Sequence, residues 1–392
     1  IVHDLIDANN LNTRGEGEIP LPRRNFFLLS LFSHITMHLP NKLTGVFFTL
    51  GLGFLLSGCE SMFHDDLDNC PQAVYVKLYN TTCKADSIGL NTQSNVHLLA
   101  FDEENRLAAG VELKDIDLGN QQKGFTEVRL PIKNSTPDQD KLYTVYAWVG
   151  LNGKFQKKDL AIGARLTDVF ANLKTESGSN FLKLADDRVY LSEAPRTILL
   201  KNPAKNGSQE EHIALSVGEK TYRLNLSVVL DKSIRDRKLS PVSTREFGIT
   251  VSSANGVYAY NGEHPSNSPV TNYVPNSDVV YGDTALTAKY TLLDFNPGKQ
   301  SNGLQSTVRI THTKNGQTRE VPLPEEIQHD LIAAIQAYAS RPENKFSFNL
   351  NCEHDIDLKF IIKDKCTDCG NYMCTGVYIN DWLVHSFKTV LQ

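Results

Sequence analysis

The chain has 392 residues, of which 40% are hydrophobic and 22% are charged. This length exceeds one ordinary hydrophobic core and predicts two folded regions, and the composition is that of a globular chain. The net charge of −5 and the lack of a run rich in lysine and arginine argue against nucleic acid as a partner.

An export signal is predicted near the N-terminus. Residues 43–56 form an uncharged apolar run that follows Lys42, and small residues then precede Cys59. The sequence LSGC at residues 56–59 matches the bacterial lipobox, in which the cysteine is acylated and becomes the mature N-terminus. The pattern therefore predicts a covalent lipid on Cys59 and no other cofactor.

The signal divides the first part of the chain. We predict that residues 1–36 are untranslated upstream sequence, that residues 37–58 are the lipoprotein signal peptide, and that the acidic residues 59–69 are a tether. Two alternatives are weaker. A transmembrane helix needs about 20 apolar residues, which is more than this run supplies, and a twin-arginine signal at Arg23-Arg24 would contain interrupted apolar runs.

The mature chain has the alternating apolar pattern of half-buried β-strands. Two dipeptides, Asn152-Gly153 and Asn315-Gly316, are typical of tight hairpin turns. The pattern therefore predicts a mostly antiparallel β-protein built from sandwiches. The predicted strands carry the apolar residues Val74, Val76 and Leu78; Val145, Ala147 and Val149; Ile213, Leu215 and Val217; Tyr222 to Leu230; Phe247, Ile249 and Val251; Phe346, Phe348 and Leu350; and Ile356 to Ile362.

One short helix is predicted in the second half. Pro324 and the two glutamates after it suit a helix start. An apolar stripe follows at helical spacing and consists of Ile327, Leu331, Ile335 and Tyr338. The most polar, turn-rich interruption is residues 201–211, so we predict an N-terminal sandwich over 70–212 and a C-terminal sandwich over 213–392.

The remaining cysteines are predicted to form disulfides, because an even number in an exported chain favours oxidation. The alternative is zinc at Cys366 and Cys369, with Cys374, Cys352 and His354 nearby, but a second Cys-x2-Cys pair is missing. A redox role lacks a βαβ context. Cys70 with Cys83 is the simplest local pairing, and the others stay open. The six candidates are Cys70, Cys83, Cys352, Cys366, Cys369 and Cys374.

The sequence contains no catalytic signature: it has no nucleophile elbow, zinc-protease motif, phosphate loop or dinucleotide fingerprint. We therefore predict that the protein is not an enzyme and has no small-molecule substrate. Trp148 and Trp382 lie in apolar strand patterns, which favours core packing over sugar stacking.

Several segments, in order, resemble one known family. They are Cys59 with its acidic spacer, Cys70-Pro71 followed by the strand at 74–79, residues 97–103, residues 143–151, Pro322-Leu323-Pro324, and residues 379–384. Their order is similar to that of the fimbrillin-associated anchor lipoproteins of Bacteroidales. Asp381 stands where this family is expected to have glycine, and the cysteine-rich segment 352–374 is not part of the family pattern.

The resemblance implies two tandem transthyretin-like antiparallel β-sandwich domains. It also implies a fimbrium anchor subunit at the fimbrium base, which joins shaft subunits by strand addition, attaches them to the outer membrane through the lipid, and limits shaft length. Shaft subunits of such fimbriae lose their first strand by cleavage after an arginine. Here no arginine occurs between Cys59 and Asn105, and the first is Arg106. The first strand is therefore expected to stay attached to the lipid.

Two other functions remain as alternatives. The first is a surface lipoprotein that acts as an adhesin or glycan-binding minor fimbrial subunit, with Trp148 or Trp382 as the stacking surface. The second is a secreted hydrolase or zinc protein, which would need metal at Cys366, Cys369 and Cys374 or a convergent triad.

Overall fold

The computed structural model describes residues 70–81, 87–88, 93–117, 127–134, 139–158, 160–174, 181–185, 187–236, 241–265, 268–294, 306–340, 352–365 and 370–386. All of them belong to one compact unit that spans Ser61–Gln392. The predicted signal peptide and tether, and the strand predicted at Phe346, Phe348 and Leu350, lie outside the described residues. Among the described helices, none combines the length and the apolar character that crossing a bilayer requires.

Short strands dominate the described chain, which confirms the mostly β prediction. The strands are β1 Gln72–Thr81, β2 Ser87–Ile88, β3 Gln93–Asp102, β4 Leu107–Asp117, β5 Glu127–Pro131, β6 Lys141–Val149, β7 Phe155–Lys158, β8 Phe170–Leu173, β9 Phe181–Leu182, β10 Tyr190–Ser192, β11 Arg196–Leu200, β12 Gln209–Glu219, β13 Thr221–Leu230, β14 Phe247–Ser253, β15 Val257–Ala259, β16 Thr271–Tyr273, β17 Val280–Tyr281, β18 Ala285–Leu293, β19 Ser306–Lys314, β20 Gln317–Val321, β21 Asp355–Asp364, β22 Tyr372–Ile379 and β23 Trp382–Ser386.

Within the described ranges, the helices are few and short. They are α1 Pro203–Asn206, α2 Lys232–Arg235, α3 Glu325–His329 and α4 Leu331–Ala339, with 3-10 turns at Leu166–Asp168 and Thr244–Glu246. The predicted apolar stripe from Ile327 to Tyr338 is buried as expected. The prediction of one continuous helix is wrong, because Asp330 has extended backbone angles. Its carboxylate accepts a hydrogen bond from the backbone N–H of Ala333 at 3.0 Å and so caps α4.

The N-terminal strands form one nine-stranded sheet in the order β2-β1-β12-β10-β6-β3-β4, with β5 beside β1 and β11 beside β6. Alternate residues of β1 are apolar, and Val74, Val76 and Leu78 are fully buried. They share one hydrophobic cluster with Leu98 of β3 and Val145 of β6. β1, β3 and β6 therefore contribute to one hydrophobic core.

The C-terminal strands form a six-stranded sheet in the order β17-β18-β13-β21-β22-β23 and a five-stranded sheet in the order β20-β19-β14-β16-β9. The predicted alternation holds in β13, where Leu224, Leu226 and Val228 are buried together with Leu358 and Phe360 of β21. The helices α3 and α4 supply further apolar side chains to the same cluster. This cluster is the larger of the two cores.

The two halves of the chain share strands. β9 belongs to the N-terminal half but pairs in parallel with β16 in the five-stranded sheet. In the opposite direction, β15 of the C-terminal half pairs with β8 in a three-stranded sheet with β7. The halves are therefore interlocked through these exchanged strands.

Most of the described strand pairs are antiparallel, as the alternating pattern predicted, but two long pairs are parallel. β1 pairs in parallel with β12, and β13 pairs in parallel with β21. In each of these two sheets, an early strand thus pairs with a strand much later in the chain. Local sequence patterns do not predict such a pairing. The transthyretin-like detail of the fold stays a prediction.

Two predicted chain features behave differently. Asn315 and Gly316 have positive φ angles of 52° and 76° and connect the paired strands β19 and β20, which confirms the hairpin. Asn152-Gly153 was predicted as a hairpin turn but is not one, because β6 and β7 do not pair with each other. The predicted boundary between 212 and 213 falls inside β12, and the chain leaves the first sheet only at Lys220.

Candidate functional site

The functional site considered first is the start of the folded chain, where the predicted tether meets β1. β1 is an interior strand: β12 pairs with residues 72–79 on one edge, and β5 pairs with residues 73–77 on the other. Its inward side chains are almost completely buried. Because a strand in this position contributes to both the ladder and the core, the sheet depends on its presence.

A buried polar cluster fixes the first residue of β1. The Gln72 side chain, only 4% exposed, donates from Nε2 to the backbone oxygen of Lys201 at 3.2 Å. Its Oε1 accepts from the backbone N–H of Asn134 at 2.7 Å, and Asn134 in turn donates to Gln139 O. We call the contacts of Gln72 with Asn134 and Lys201 the Gln72 clamp. It ties the start of β1 to two distant segments.

The outer face of β1 is aromatic and charged. Tyr75 stacks on His212 of β12 with a ring separation of 4.9 Å, and its hydroxyl donates to Glu210 at 3.3 Å. Glu127 of β5 lies 3.4 Å from His212 Nδ1. These exposed pairs contribute little to stability on their own, so the buried face holds the strand.

Arg106 ends the turn between β3 and β4. The Asp102 carboxylate accepts hydrogen bonds from the backbone N–H groups of Glu104 and Arg106, and so orders this turn. The Arg106 side chain is exposed and contacts only Glu104 among the ion pairs described. A cut after Arg106 would separate both β1 and β3 from the rest of the sheet.

A second polar site lies in the large core, where the two halves meet. Asp294 is buried, and its carboxylate accepts hydrogen bonds from Tyr258 Oη and from His264 Nε2, the latter at 3.0 Å. Lys220 Nζ lies 3.1 Å from its second oxygen. Burial alone would raise the pKa of Asp294, but His264 and Lys220 outweigh burial and hold that pKa below its ordinary value.

His264 has acceptors on both sides of its ring. Nδ1 lies 2.8 Å from the backbone oxygen of Val257, and Nε2 faces Asp294. These contacts join the segment that follows β15 to the end of β18.

A third polar group consists of His97, Lys157 and Glu112. His97 is 1% exposed and lies 3.2 Å from Lys157 Nζ, which also forms an ion pair with Glu112 at 2.6 Å. Burial, and then the charge of Lys157, lower the pKa of His97 to about 4. His97 is therefore neutral at physiological pH.

None of these polar groups resembles a catalytic or metal site. In the part of the chain that the structure describes, no three His, Cys, Asp or Glu side chains converge on a possible metal position. Trp148 is 1% exposed, packs on Tyr258 and Tyr260, and donates from Nε1 to Tyr260 O at 3.2 Å. Trp148 is therefore a core residue and is not available to stack on a sugar.

The comparison with protein families addresses the chain as a whole. A sequence profile of the family described as fimbrillin-A associated anchor proteins Mfa1 and Mfa2 matches residues 67–386, a span that includes all residues described by the structure. The chain belongs to this family. Membership confirms the resemblance seen in the sequence and associates this fimbrial anchor protein with a fimbrium and its shaft subunits at the cell surface.

Individual relatives agree with the family. The minor fimbrium anchoring subunit Mfa2 of Porphyromonas gingivalis is 25% identical over 340 residues, which cover 86% of this chain and 92% of that protein. The crystal structure of the fimbrial anchor protein Mfa2 from the same organism has a TM-score of 0.63 at 24% identity and covers 81% of this chain and 100% of that one. A candidate polysaccharide-binding protein from Bacteroides thetaiotaomicron has a TM-score of 0.56 at 13% identity and covers 83% of this chain and 100% of its own.

The predicted cysteine sites of this family member are only partly described. Cys59, Cys83, Cys366 and Cys369 lie outside the described residues, so lipidation and the Cys70–Cys83 pairing stay predictions. Cys352 is disulfide-bonded.

The prediction that Cys374 joins a disulfide differs from the structure. Its buried thiol donates to Gly376 O at 3.3 Å, and burial raises its pKa to about 12. A thiol with this pKa is protonated at physiological pH.

The sequence missed the polar groups at the junction of the halves in this fimbrial anchor protein. Lys220, the segment from Tyr258 to His264, and Asp294 are far apart in the chain, and their side chains meet only after the sheets form. The one signal available was the presence of polar residues next to apolar strand patterns, which is too common to single out a site.

Proposed function

We propose that this fimbrial anchor protein is a lipoprotein of the outer membrane that holds a fimbrial shaft at its base and limits shaft length. The lipobox at residues 56–59 supports a lipid on Cys59, and residues 60–69 supply a short tether to the fold. The observation that carries the proposal is the interior position of β1, directly after that tether.

An anchor must keep its first strand joined to its lipid. Residues 59–105 contain no arginine, so an arginine-specific protease has no target between Cys59 and the end of β3. A cut after Arg106 would remove Val76 and Leu78 from the core. Because the loss of these buried apolar side chains would destabilise the fold, we expect the chain to be retained uncut.

The shaft is proposed to join by strand addition, in which backbone hydrogen bonds at a sheet edge give the affinity. β23 is a suitable edge, because among the described strands it pairs with β22 alone. It contains no Lys, Arg, Asp or Glu, the residues that commonly protect edges, and it exposes Trp382 and Leu383. An uncharged extended segment of a shaft subunit would bury both side chains.

The function is tested by replacing the lipid acceptor. Cys59→Ala is expected to move the protein from the outer membrane to the soluble fraction and to give shed or overlong fimbriae, as seen by fractionation and electron microscopy. The matched control is Ser61→Ala, which changes the tether but leaves the lipobox intact. A Cys59→Ala protein that stays in the membrane with normal fimbriae would contradict the proposal.

The edge is tested separately. Leu383→Lys is expected to weaken shaft attachment while lipidation stays normal, because a charge then lies at the proposed docking edge. Leu199→Lys is the control, since Leu199 has a similar exposure of 44%, against 49% for Leu383, but lies on β11. Equal shaft attachment in both variants would remove β23 as the docking edge.

A glycan-binding role is the second candidate, and Trp382 is the observation that favours it. Its side chain is 47% exposed, as a stacking surface requires. Glycan-array binding that is lost in Trp382→Ala, with fimbriae of normal length, would favour this role over anchoring.

A further inference from the structure

The direction of two neighbouring strands bears on how the protein carries load. β1 and β12 run in parallel, and their paired residues extend from Gln72 beside Gln209 to Tyr79 beside Ser216. The N-terminal ends of both strands therefore lie together at one end of the pair, and their C-terminal ends lie together at the other.

Force would enter and leave this pair at opposite ends. If the protein is tethered through its N-terminus, as the proposed function requires, tension enters at the N-terminal end of β1. β12 leads from Glu219 through Lys220 into Thr221 of β13, so tension from the C-terminal half enters at the C-terminal end of β12. The two strands are then pulled along their axes in opposite directions, and their hydrogen bonds are strained together rather than one after another.

The core opposes such sliding as well. Val74, Val76 and Leu78 point inward, whereas Tyr75 and Lys77 point outward. A slip of one residue reverses the faces of a strand, so it would bring Tyr75 and Lys77 into the core. β5 pairs with residues 73–77 on the opposite edge of β1, so the register of that pair would have to shift as well.

The start of the strand has additional attachments. The Gln72 clamp joins Gln72 to Asn134 and Lys201, and the backbone N–H of Ile132 donates to Gln72 O at 3.3 Å. The backbone N–H of Gln209 also donates to Pro71 O at 3.2 Å. These bonds lie where tension from the tether would first reach the fold.

We infer that β1, β12 and the Gln72 clamp form a mechanical clamp that resists tension between the membrane tether and the C-terminal half of the protein. The clamp withstands pulling along the strands and yields more easily to pulling that separates them from one end. This inference gives the parallel pairing a load-bearing role.

Single-molecule force spectroscopy on the soluble chain that starts at residue 60 tests the inference. One handle is placed at the N-terminus, and the second is a clickable amino acid at Lys314 or at Lys205, both of which are exposed. Lys314 loads the pair along its axis. Lys205 lies just before β12, at the same end as residue 72, and therefore peels β1 away from that end. We expect a clearly higher unfolding force through Lys314, and equal forces in the two geometries would overturn the inference.

A substitution distinguishes the mechanical role of the Gln72 clamp from a general effect on the stability of the fold. Gln72→Met keeps the side-chain length but leaves the backbone N–H of Asn134 and the backbone oxygen of Lys201 without this partner, which is expected to raise the forced unfolding rate about tenfold in the Lys314 geometry. Thr244→Val is the control, because it removes a buried bond to Gly282 O at 2.7 Å away from β1. Equal effects of the two variants would contradict a specific role of the Gln72 clamp.

The force measurement needs neither lipid nor shaft. A strong clamp in a protein that proves not to be lipidated would leave the mechanical inference standing and remove the proposed function. If the protein is confirmed as a fimbrial anchor in cells but unfolds at the same force in the two pulling geometries, the proposed function stands and the mechanical inference is wrong.

Discussion

Leu78 in the first strand lies directly beside Leu215 in the last strand of the same sheet, and both side chains are fully buried. The two residues are far apart in the chain, so their contact closes the N-terminal half. It also places the segment nearest to the membrane tether in the core of the fold. A fold of this kind cannot release its first strand and keep its packing.

Removing apolar atoms from β1 tests this dependence. Leu78→Ala is expected to lower the free energy of unfolding by about 2–5 kcal/mol, because it leaves a cavity in a closed core. Urea denaturation of the soluble chain measures the change. Leu142→Ala is the control, since Leu142 is 40% exposed, and it should have much less effect. Similar midpoints for the two variants would contradict a core position of β1.

The buried charges at the junction predict a large cost for neutralising Asp294. Asp294→Asn leaves Lys220 and His264 without their buried partner and is expected to lower the free energy of unfolding by about 3–5 kcal/mol. Asp381→Asn, which breaks the exposed pair with Lys359, should have no measurable effect. Calorimetry on both variants makes the comparison, and an unchanged melting temperature of Asp294→Asn would refute the ion pair.

The low pKa of His97 predicts a dependence on acid. Its pKa is about 4 in the fold against an ordinary 6.5, so between these pH values the unfolded chain takes up a proton that the folded chain does not. His97 therefore contributes stability in full above pH 6.5, and this contribution, on the order of 3 kcal/mol, is lost as the pH falls towards 4.

Urea midpoints at several pH values measure that dependence. His97→Gln should give a shallower loss of stability between pH 6.5 and 4 than the wild type does. Leu142→Ala, which removes no titratable group and lies at an exposed position, should keep the wild-type slope. If the slope of His97→Gln matches the wild type, the burial of a neutral His97 is wrong.

The part of the fold that could be predicted is the part that depends on local pattern. The alternation in β13 and β21, the apolar stripe from Ile327 to Tyr338, and the hairpin at Asn315-Gly316 all follow from neighbouring residues. Asp330 was missed because an aspartate is compatible with a helix and also with the cap of a second one. The choice depends on packing.

The pairing of strands that are far apart in the chain could not be predicted from the sequence. Nothing near Val76 indicates that Ile213 will lie beside it in parallel, because either direction satisfies the same alternation. The exchange of β9 and β15 between the halves has the same origin. For the site, the sequence pointed to Cys59 and to the absence of arginine before Arg106, whereas the polar cluster of Asp294 arises only from the assembled sheets.

The different environments of the two tryptophans give an optical test. Trp148→Phe leaves Trp382 as the emitter, which should give red-shifted fluorescence that acrylamide quenches readily, because Trp382 is half exposed. Trp382→Phe leaves Trp148 in the aromatic core and should give blue-shifted emission that resists quenching. Equal quenching of the two variants would contradict the burial of Trp148.

The decisive measurement is the intact mass of the protein extracted from native outer membranes that carry fimbriae. We predict a single species that begins at an acylated Cys59 and extends through β1 without a cut at Arg106. A mature species that begins at residue 107 would show that the first strand is removed, as in a shaft subunit, and would contradict the retained anchor strand.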